Sequence, residues 1–494
     1  MVISKATFAE KKTHERKKIK FIVEMKDFGP IAGGTITFRP LTLFIGPNNS
    51  GKSYAAMLIH SLFESFVLDV PGAMREFLSR YYDIDDFVKE LAELDQIGDL
   101  KEGDELEISL GKITNRVFEE VHSKRMSHEI IRSYACPLRE LARIGKKSFE
   151  LKIACDSHKI ELLFQADNPK IKWYSQEDFK MKVKVLGQHN IRTQFLKKDE
   201  PFFELTGSWK KNKKSLVISM IELPLSEYIS NVFEDMAAPC YYLPAARSGI
   251  LQGHKALAAT IVRKAPLVGI EKLEIPKFSG VVSDFISSIL TLPEEKGPFY
   301  KLAQELEGEL LKGEIVVKTL DEYLYPEIRY NFRGKEIPLH RASSTVSELA
   351  PLILYLKYTI RPGSILIIEE PEAHLHPENQ RILAKYLVKL IRKGVNIVIT
   401  THSDYLIEQL SSFILLSRVE PEKRISKYGY TREDFLNPGE VAAYVFTYEK
   451  KSGGHRIGEI EITEEDGISQ EEHMRIIEAL YEETLKLRRD TRHR

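Results

Sequence analysis

Three short stretches of the chain, residues 41–45, 364–368 and 396–399, are almost continuously apolar, with no alternation of polar positions. Runs of that length and character read as strands buried on both faces, the kind that parallel sheets use. Residues 54–66 carry apolar positions at helical spacing directly after the first run, and residues 349–358 predict a helix shortly before the second. Upstream of the first run, residues 21–25 and 35–38 read as two strands joined through Phe28-Gly29-Pro30 and Gly33-Gly34. Between residues 70 and 239 the pattern changes. Residues 73–96 and 114–144 predict helices. Residues 148–165 alternate like a hairpin turning at Asp156-Ser157-His158, and residues 170–174, 180–186, 202–205 and 216–221 continue the β pattern. From Cys240 the chain returns to a strand and loop. Helices over 251–263, 281–292 and 299–311 follow, then a strand over 314–318 and a hairpin over 327–339 turning at Arg333-Gly334. A second hairpin (441–448 with 455–462) and an amphipathic helix (470–487) complete the pattern. Buried strands alternating with helices predict an α/β fold.

The loop after the first buried run is Gly46-Pro47-Asn48-Asn49-Ser50-Gly51-Lys52-Ser53, which matches G-x-x-x-x-G-K-[ST]. Its setting is strand, glycine loop, helix. In that setting two glycines let backbone N–H groups turn inward, and the helix adds the positive end of its dipole. The eight residues therefore form a candidate phosphate cradle, with Lys52 reaching the β- and γ-phosphates and Ser53 offering its hydroxyl to Mg²⁺. The second buried run ends in two carboxylates, Glu369 and Glu370. Ligands of open α/β sheets bind at the carboxyl ends of strands. There the two acids divide the work, Glu369 holding Mg²⁺ and Glu370 orienting and deprotonating an attacking water. The third run ends in Thr400-Thr401-His402-Ser403-Asp404, which puts His402 at the same edge, able to hydrogen-bond a γ-phosphate.

Far more than the roughly 30 residues of one βαβ unit separate Ser53 from Glu369, so an insertion divides the core. The divisions expected are residues 1–69 (first part of the core), 70–239 (inserted helical and β region), 240–419 (remainder of the core) and 420–494 (a small C-terminal extension).

Composition narrows the setting. Lys+Arg and Asp+Glu both number 72, so no global charge argues for or against nucleic acid, although residues 11–20, 210–214 and 488–494 are locally basic. The 3 cysteines lack metal-ligand spacing and are too few for a disulfide framework, which fits a reducing cytoplasm. No apolar run approaches the ~18 residues that span a bilayer, and the N-terminus is charged, so no membrane partner is expected.

GPNNSGKS, the string EEPEAHLHPENQ (residues 369–380) and TTHSD together resemble the ABC-class ATPases, specifically the RecF/SMC-like and OLD-like AAA-domain proteins rather than transporter subunits. The resemblance covers roughly residues 20–70 and 240–419. It implies a P-loop ATPase core that binds ATP and Mg²⁺. It also implies a homodimer in which a signature segment of one subunit closes on the γ-phosphate held by the other. Residues 341–348 match that segment, with Ser343 and Ser344 offered to phosphate and Thr345-x-x-Glu348 as a capping box on the following helix. Thr345 stands where the family commonly has glycine, and His376 where many relatives have aspartate. The segment YYLPAARSG stands where the family's glutamine loop falls. Arg247 takes the glutamine's place or pairs with an acid between lobes. The C-terminal acids Glu464-Glu465-Asp466 do not reproduce the nuclease module of OLD-type relatives. Two functional readings follow. One is a dimeric ATP-driven switch or motor in DNA repair or anti-phage defence. The other is a regulatory ATPase controlling a separately encoded effector, a nuclease or toxin, without binding DNA itself.

Overall fold

The computed structural model describes residues 2–8, 21–66, 92–155, 158–165, 168–175, 179–208, 238–253, 278–319 and 326–469, with scattered positions between 216 and 228 and Glu483. Residues 73–91 of the first expected helix, the three basic runs, residues 254–263 and nearly all of the helix expected over 470–487 lie outside the described residues. The chain divides into two compact units, Met1–Thr37 with Met57–Pro239, and Phe38–Ala56 with Cys240–Arg494.

The first unit is built on antiparallel pairing. Five strands run in the order Val2–Phe8, Glu200–Ser208, Asn190–Lys197, Phe179–Gly187, Glu105–Ser109. A second antiparallel set runs Ile31–Thr37, Phe21–Phe28, Ser148–Cys155, His158–Gln165, Asn168–Ser175. Ser148–Cys155 alternates buried and half-buried positions along its whole length, as a strand with one wet face must. Three elements differ from the sequence pattern. Gly33 and Gly34 lie inside the strand Ile31–Thr37, and the turn is confined to Gly29-Pro30, where Gly29 has a φ of 51°. The helix expected to reach residue 144 stops at Tyr134, because Ala135 takes a left-handed conformation (φ 52°) just ahead of Pro137. Leu216, Val217, Met220 and Ile221, expected in a strand, are helical and buried. Their spacing also fits one helix face, and packing selects it. Met220 lies so close over Gly207 that a Cβ there would come within 2.7 Å of its Cε.

The second unit carries a mostly parallel sheet. Its strands are β1 (Leu41–Ile45), β2 (Cys240–Leu243), β3 (Ile365–Glu369), β4 (Asn396–Thr401), β5 (Val441–Glu449) and β6 (Gly454–Ile460). Their order is β2-β3-β4-β1-β5-β6, parallel except for the β5–β6 hairpin. Helices α1 (Lys52–Phe66, of which Lys52–Ala56 belong to this unit), α2 (Ser344–Leu354), α3 (Pro377–Arg392) and α4 (Asp404–Leu415) follow the strands or precede them. Every residue of β1 and β3 is buried, and the apolar side chains on one face of the sheet join those of α2, α3 and α4 in one core. Each fully buried Leu, Ile or Phe there contributes about 1.5–3 kcal/mol. Strand β5, expected only as half of a C-terminal hairpin, pairs in parallel with β1, with Ala443 opposite Leu43. A strand buried on both faces needs neighbours on both edges for its N–H and C=O groups, and β5 supplies the second.

An ion pair in this unit is buried from end to end. Lys357, on a π-helical turn that continues α2, is 2.9 Å from Glu307 of the helix Tyr300–Leu310, with side-chain exposures of 1% and 2%. Its ammonium also donates to Ile315 O at 2.8 Å, and Glu307 Oε1 accepts from Ile315 N at 2.6 Å. Burial raises the Glu307 carboxyl above its ordinary pKa, opposed chiefly by Lys357. Removing one partner of such a pair strands a charge, whereas replacing both by apolar groups of similar shape does not. We expect Lys357→Ala to cost about 3–5 kcal/mol of unfolding free energy. The pair Lys357→Met with Glu307→Leu should recover at least half of that in urea titrations, and a double variant no more stable than Lys357→Ala would contradict this account.

Candidate functional site

Strand register decides what meets at the sheet's carboxyl edge. Glu369 lies opposite Thr400, and Thr401 lies opposite Ile45. The chain therefore leaves β1 into Gly46, β3 into Glu370 and β4 into His402 at one edge of one sheet. All three stretches singled out in the sequence converge there.

In the loop 46–51 three residues have positive φ: Gly46 (144°), Asn49 (61°) and Gly51 (103°). At Gly46 there is also no room for a side chain, since a Cβ would lie 2.8 Å from Phe446 O on β5. Pro47, Asn48, Asn49 and Ser53 are exposed, while the Ser50 hydroxyl is buried without a hydrogen-bond partner. Lys52, the first residue of α1, folds back over the loop and donates to Gly46 O at 2.9 Å and Pro47 O at 2.8 Å. Burial lowers its pKa from the ordinary lysine value, and Glu370, Glu372 and Glu369 pull it back up, in that order.

The acids at the end of β3 differ in setting. Glu369 is 8% exposed; its Oε2 accepts the Ala245 N–H at 3.1 Å, and its Oε1 is buried with no partner. Glu370 side chain is 40% exposed, and its Oε1 is 3.4 Å from His402 Nε2. Its backbone has a φ of 44°, rare for a residue with a side chain, and is held by its N–H donating to Thr400 O at 2.9 Å. Among the described residues no group of three or more His, Cys, Asp or Glu could enclose a metal. The orphaned, buried carboxylate oxygen of Glu369, with the exposed Ser53 after the loop that leaves the same sheet edge, still fits a small divalent ion. Such an ion takes one or two protein oxygens and completes its shell with water and phosphate.

The segment 343–348 departs from the expected capping box. Ser343 is the N-cap of α2, its hydroxyl accepting from Val346 N at 3.4 Å. Glu348 does not reach back to the cap. It is 2% exposed, accepts a hydrogen bond from the Ser248 hydroxyl and lies 3.2 Å from Arg247 Nε. The reason is position: α2 is buried from Val346 onward, and its second-turn acid faces inward, where Arg247 meets it. Ser343 and Ser344 remain exposed at the helix start. Arg247 is itself 2% exposed and pairs with Glu348, so its role as an acid's partner is the one the geometry displays.

Sequence reasoning assigned nothing to Glu372, which the structure places at the centre of the edge. Its Oε1 accepts from Thr401 Oγ1 at 2.7 Å and from His402 N at 2.8 Å, tying the loop after β3 to the end of β4. The signal was its place two residues beyond Glu370 within EEPE. His376, in the same string, caps α3 by accepting from Glu378 N.

A family model described as the AAA ATPase domain matches residues 18–407. No curated protein matches the chain. Solved structures similar to it include an SMC head bound to the C-winged helix domain of ScpA (TM-score 0.36, 11% identity, covering 90% of this chain and 98% of that one). The SMC head domain from Thermotoga maritima gives 0.32 at 11% identity, over 90% and 100% of the two chains. An SMC head with an extended coiled coil, bound to the C-terminal domain of ScpA derived from Pyrococcus furiosus, gives 0.34 at 12%, over 94% and 99%. At that distance none of their properties transfers. Among the described residues no helix is long and apolar enough to cross a membrane. With most of its length under one family model, the chain belongs to the AAA ATPase domain family and is a nucleotide-binding ATPase.

Proposed function

We propose that this ATPase hydrolyses ATP with Mg²⁺ and uses the nucleotide to close a homodimer. The observation that carries the proposal is the common sheet edge, with Glu370 Oε1 3.4 Å from His402 Nε2 and the loop 46–53 beside them in register. In this reading the backbone N–H groups of Gly46, Asn48, Asn49, Ser50 and Gly51 cradle phosphate, Pro47, which has no N–H, fixes the bend of the loop, and the buried Ser50 hydroxyl finds its missing partner there. Lys52 exchanges two carbonyl oxygens for the β- and γ-phosphates. Ser53 and the free oxygen of Glu369 hold Mg²⁺, which when bound supplies charge neutralisation at the transferring phosphoryl group. Glu370 orients the attacking water and takes its proton, and His402 fixes the Glu370 carboxylate from the other side. Ser343 and Ser344, exposed at the start of an 11-residue helix, face the γ-phosphate of the second copy.

The RecF/SMC-like and OLD-like resemblance supports a setting in DNA repair or anti-phage defence, with the closed dimer as the working state. Turnover stimulated by DNA would support that setting. Unstimulated turnover with a co-purifying second protein would instead support control of a separate effector.

Two outcomes test the chemistry. Lys52→Ala should lower ATP affinity and turnover together while leaving thermal unfolding within a few degrees of the parent, since it removes the cation at the β/γ-phosphates. Parent-like turnover in that variant removes the assignment. Glu370→Gln keeps the size of the side chain and loses the base, so hydrolysis should fall by about 10²–10⁴-fold with ATP still bound. Because ATP then touches both copies only when they are together, it should shift the protein toward dimer, read as a larger species in sizing chromatography with ATP and Mg²⁺. Adding Ser344→Arg should return it to the smaller species. Normal hydrolysis by Glu370→Gln would show the base is elsewhere.

A further inference from the structure

Among the described residues Arg247 is the largest side chain that is almost wholly buried, and a charge in that position is costly unless it is paired and hydrogen-bonded. Its donors are spent on two separate segments of the site. Towards β3, Nη1 donates to Glu369 O at 2.8 Å and Nη2 to Glu370 O at 3.3 Å. Towards α2, Nε donates to Glu348 O at 3.0 Å and lies 3.2 Å from Glu348 Oε2. A further bond from Nη1 to Pro244 O at 3.2 Å closes the loop on itself.

The residues around it act on the same partners. Ala245 N–H holds the Glu369 carboxylate, and the Ser248 hydroxyl holds the other oxygen of Glu348. Thr345 Oγ1, on the first turn of α2, donates to His374 O at 3.1 Å, a second tie between that turn and the loop after β3. Loop 244–248 is thus a bracket with one arm on the strand-end acids and the other on the helix that begins at Ser343–Ser344. The Glu370 end matters most. With φ at 44° its backbone stands in a conformation that costs roughly 1–3 kcal/mol, and such a conformation persists only when its surroundings hold it. The Glu370 N–H is held by Thr400 and its carbonyl by Arg247.

We propose that Arg247 is a positioning residue that locks Glu369, Glu370 and the N-terminal turn of α2 into one rigid unit, so that the acids serving one nucleotide and the serines offered to a second copy are set in register. The idea rests on the dimeric reading above. It differs from a glutamine-loop role because Arg247 spends its donors on backbone carbonyls and Glu348 and acts through Glu370 and α2. A lysine carries the same charge but cannot span both segments with a planar fork.

The test is Arg247→Lys, made in the parent and in the Glu370→Gln background. Three quantities are read: affinity for a fluorescent ATP analogue, kcat, and ATP-dependent dimerisation by sizing. We expect analogue affinity within about twofold of the parent and kcat lower by about a hundredfold, the scale of a misplacement near 1 Å. The doubly substituted protein should lose its ATP-dependent increase in size. A kcat and a dimer that both match the parent overturn the proposal. So does a loss of affinity proportional to the loss of kcat, which would mean that Arg247 only supports the fold. Should Arg247→Lys not fold, Glu348→Gln is read instead, since it keeps the shape and removes the charge that anchors the arginine. It should retain ATP affinity and weaken the dimer at least tenfold, and an unchanged dimer there overturns the proposal. If Glu370→Gln alone never enlarges with ATP, it is the dimeric reading that fails, and the kcat of Arg247→Lys still decides whether the bracket positions Glu370.

Discussion

A strand buried on both faces has nowhere along its length to carry a charge, and this constraint locates the chemistry of the protein. From Ile365 to Ile368, and along Leu41–Ile45 and Ile397–Ile399, side chains are exposed by no more than 2%. An unpaired carboxylate inside such a layer costs several kcal/mol or more. Acids and histidine are therefore confined to the strand ends, and in-register parallel pairing collects the ends at one edge. The same crowding limits the loop that starts there. Gly46 has strand β5 against it, so close that no side chain fits.

Charges that do enter the interior show what the constraint demands of them. Lys357 and Arg247 are both essentially unexposed, and each is matched by a glutamate and by backbone carbonyls. Burial pushes the Arg247 guanidinium below its ordinary pKa, and the carboxylates of Glu348, Glu372, Glu369 and Glu370 counter it. The two differ in reach. The ammonium of Lys357 is a point charge that stitches one helix to a neighbouring strand, whereas the fork of Arg247 spans two segments that both belong to the site. Glu372 makes a third connection of this kind, between the loop after β3 and the end of β4. The edge is thus a set of loops cross-linked by buried polar groups, with its half-buried groups (Glu370, His402) and exposed ones (Ser53, Ser343, Ser344) supported from behind.

Sequence by itself determined the elements whose code is local. Glycines at 46 and 51 followed by lysine, an apolar run ending in two glutamates, and a run ending in Thr-Thr-His each state a backbone conformation and a chemistry within a few residues. They were legible because strand burial and loop geometry depend on neighbours in the chain. Tertiary structure alone decided whatever depends on residues far apart in it. Thr345-x-x-Glu348 has the spacing of a cap, yet Glu348 turns inward because Arg247, about a hundred residues earlier, is there to meet it. Residues 216–221 suit a strand or a helix by pattern, and packing over Gly207 chose the helix. Strand β5 reads as part of a terminal hairpin, but the fold brings it beside the open edge of β1, far earlier in the chain. A hydrophobic pattern says which face is buried and a motif says which atoms are presented. Neither names the partner, because a buried charge or an open strand edge is satisfied by whatever the fold brings within about 3 Å of it.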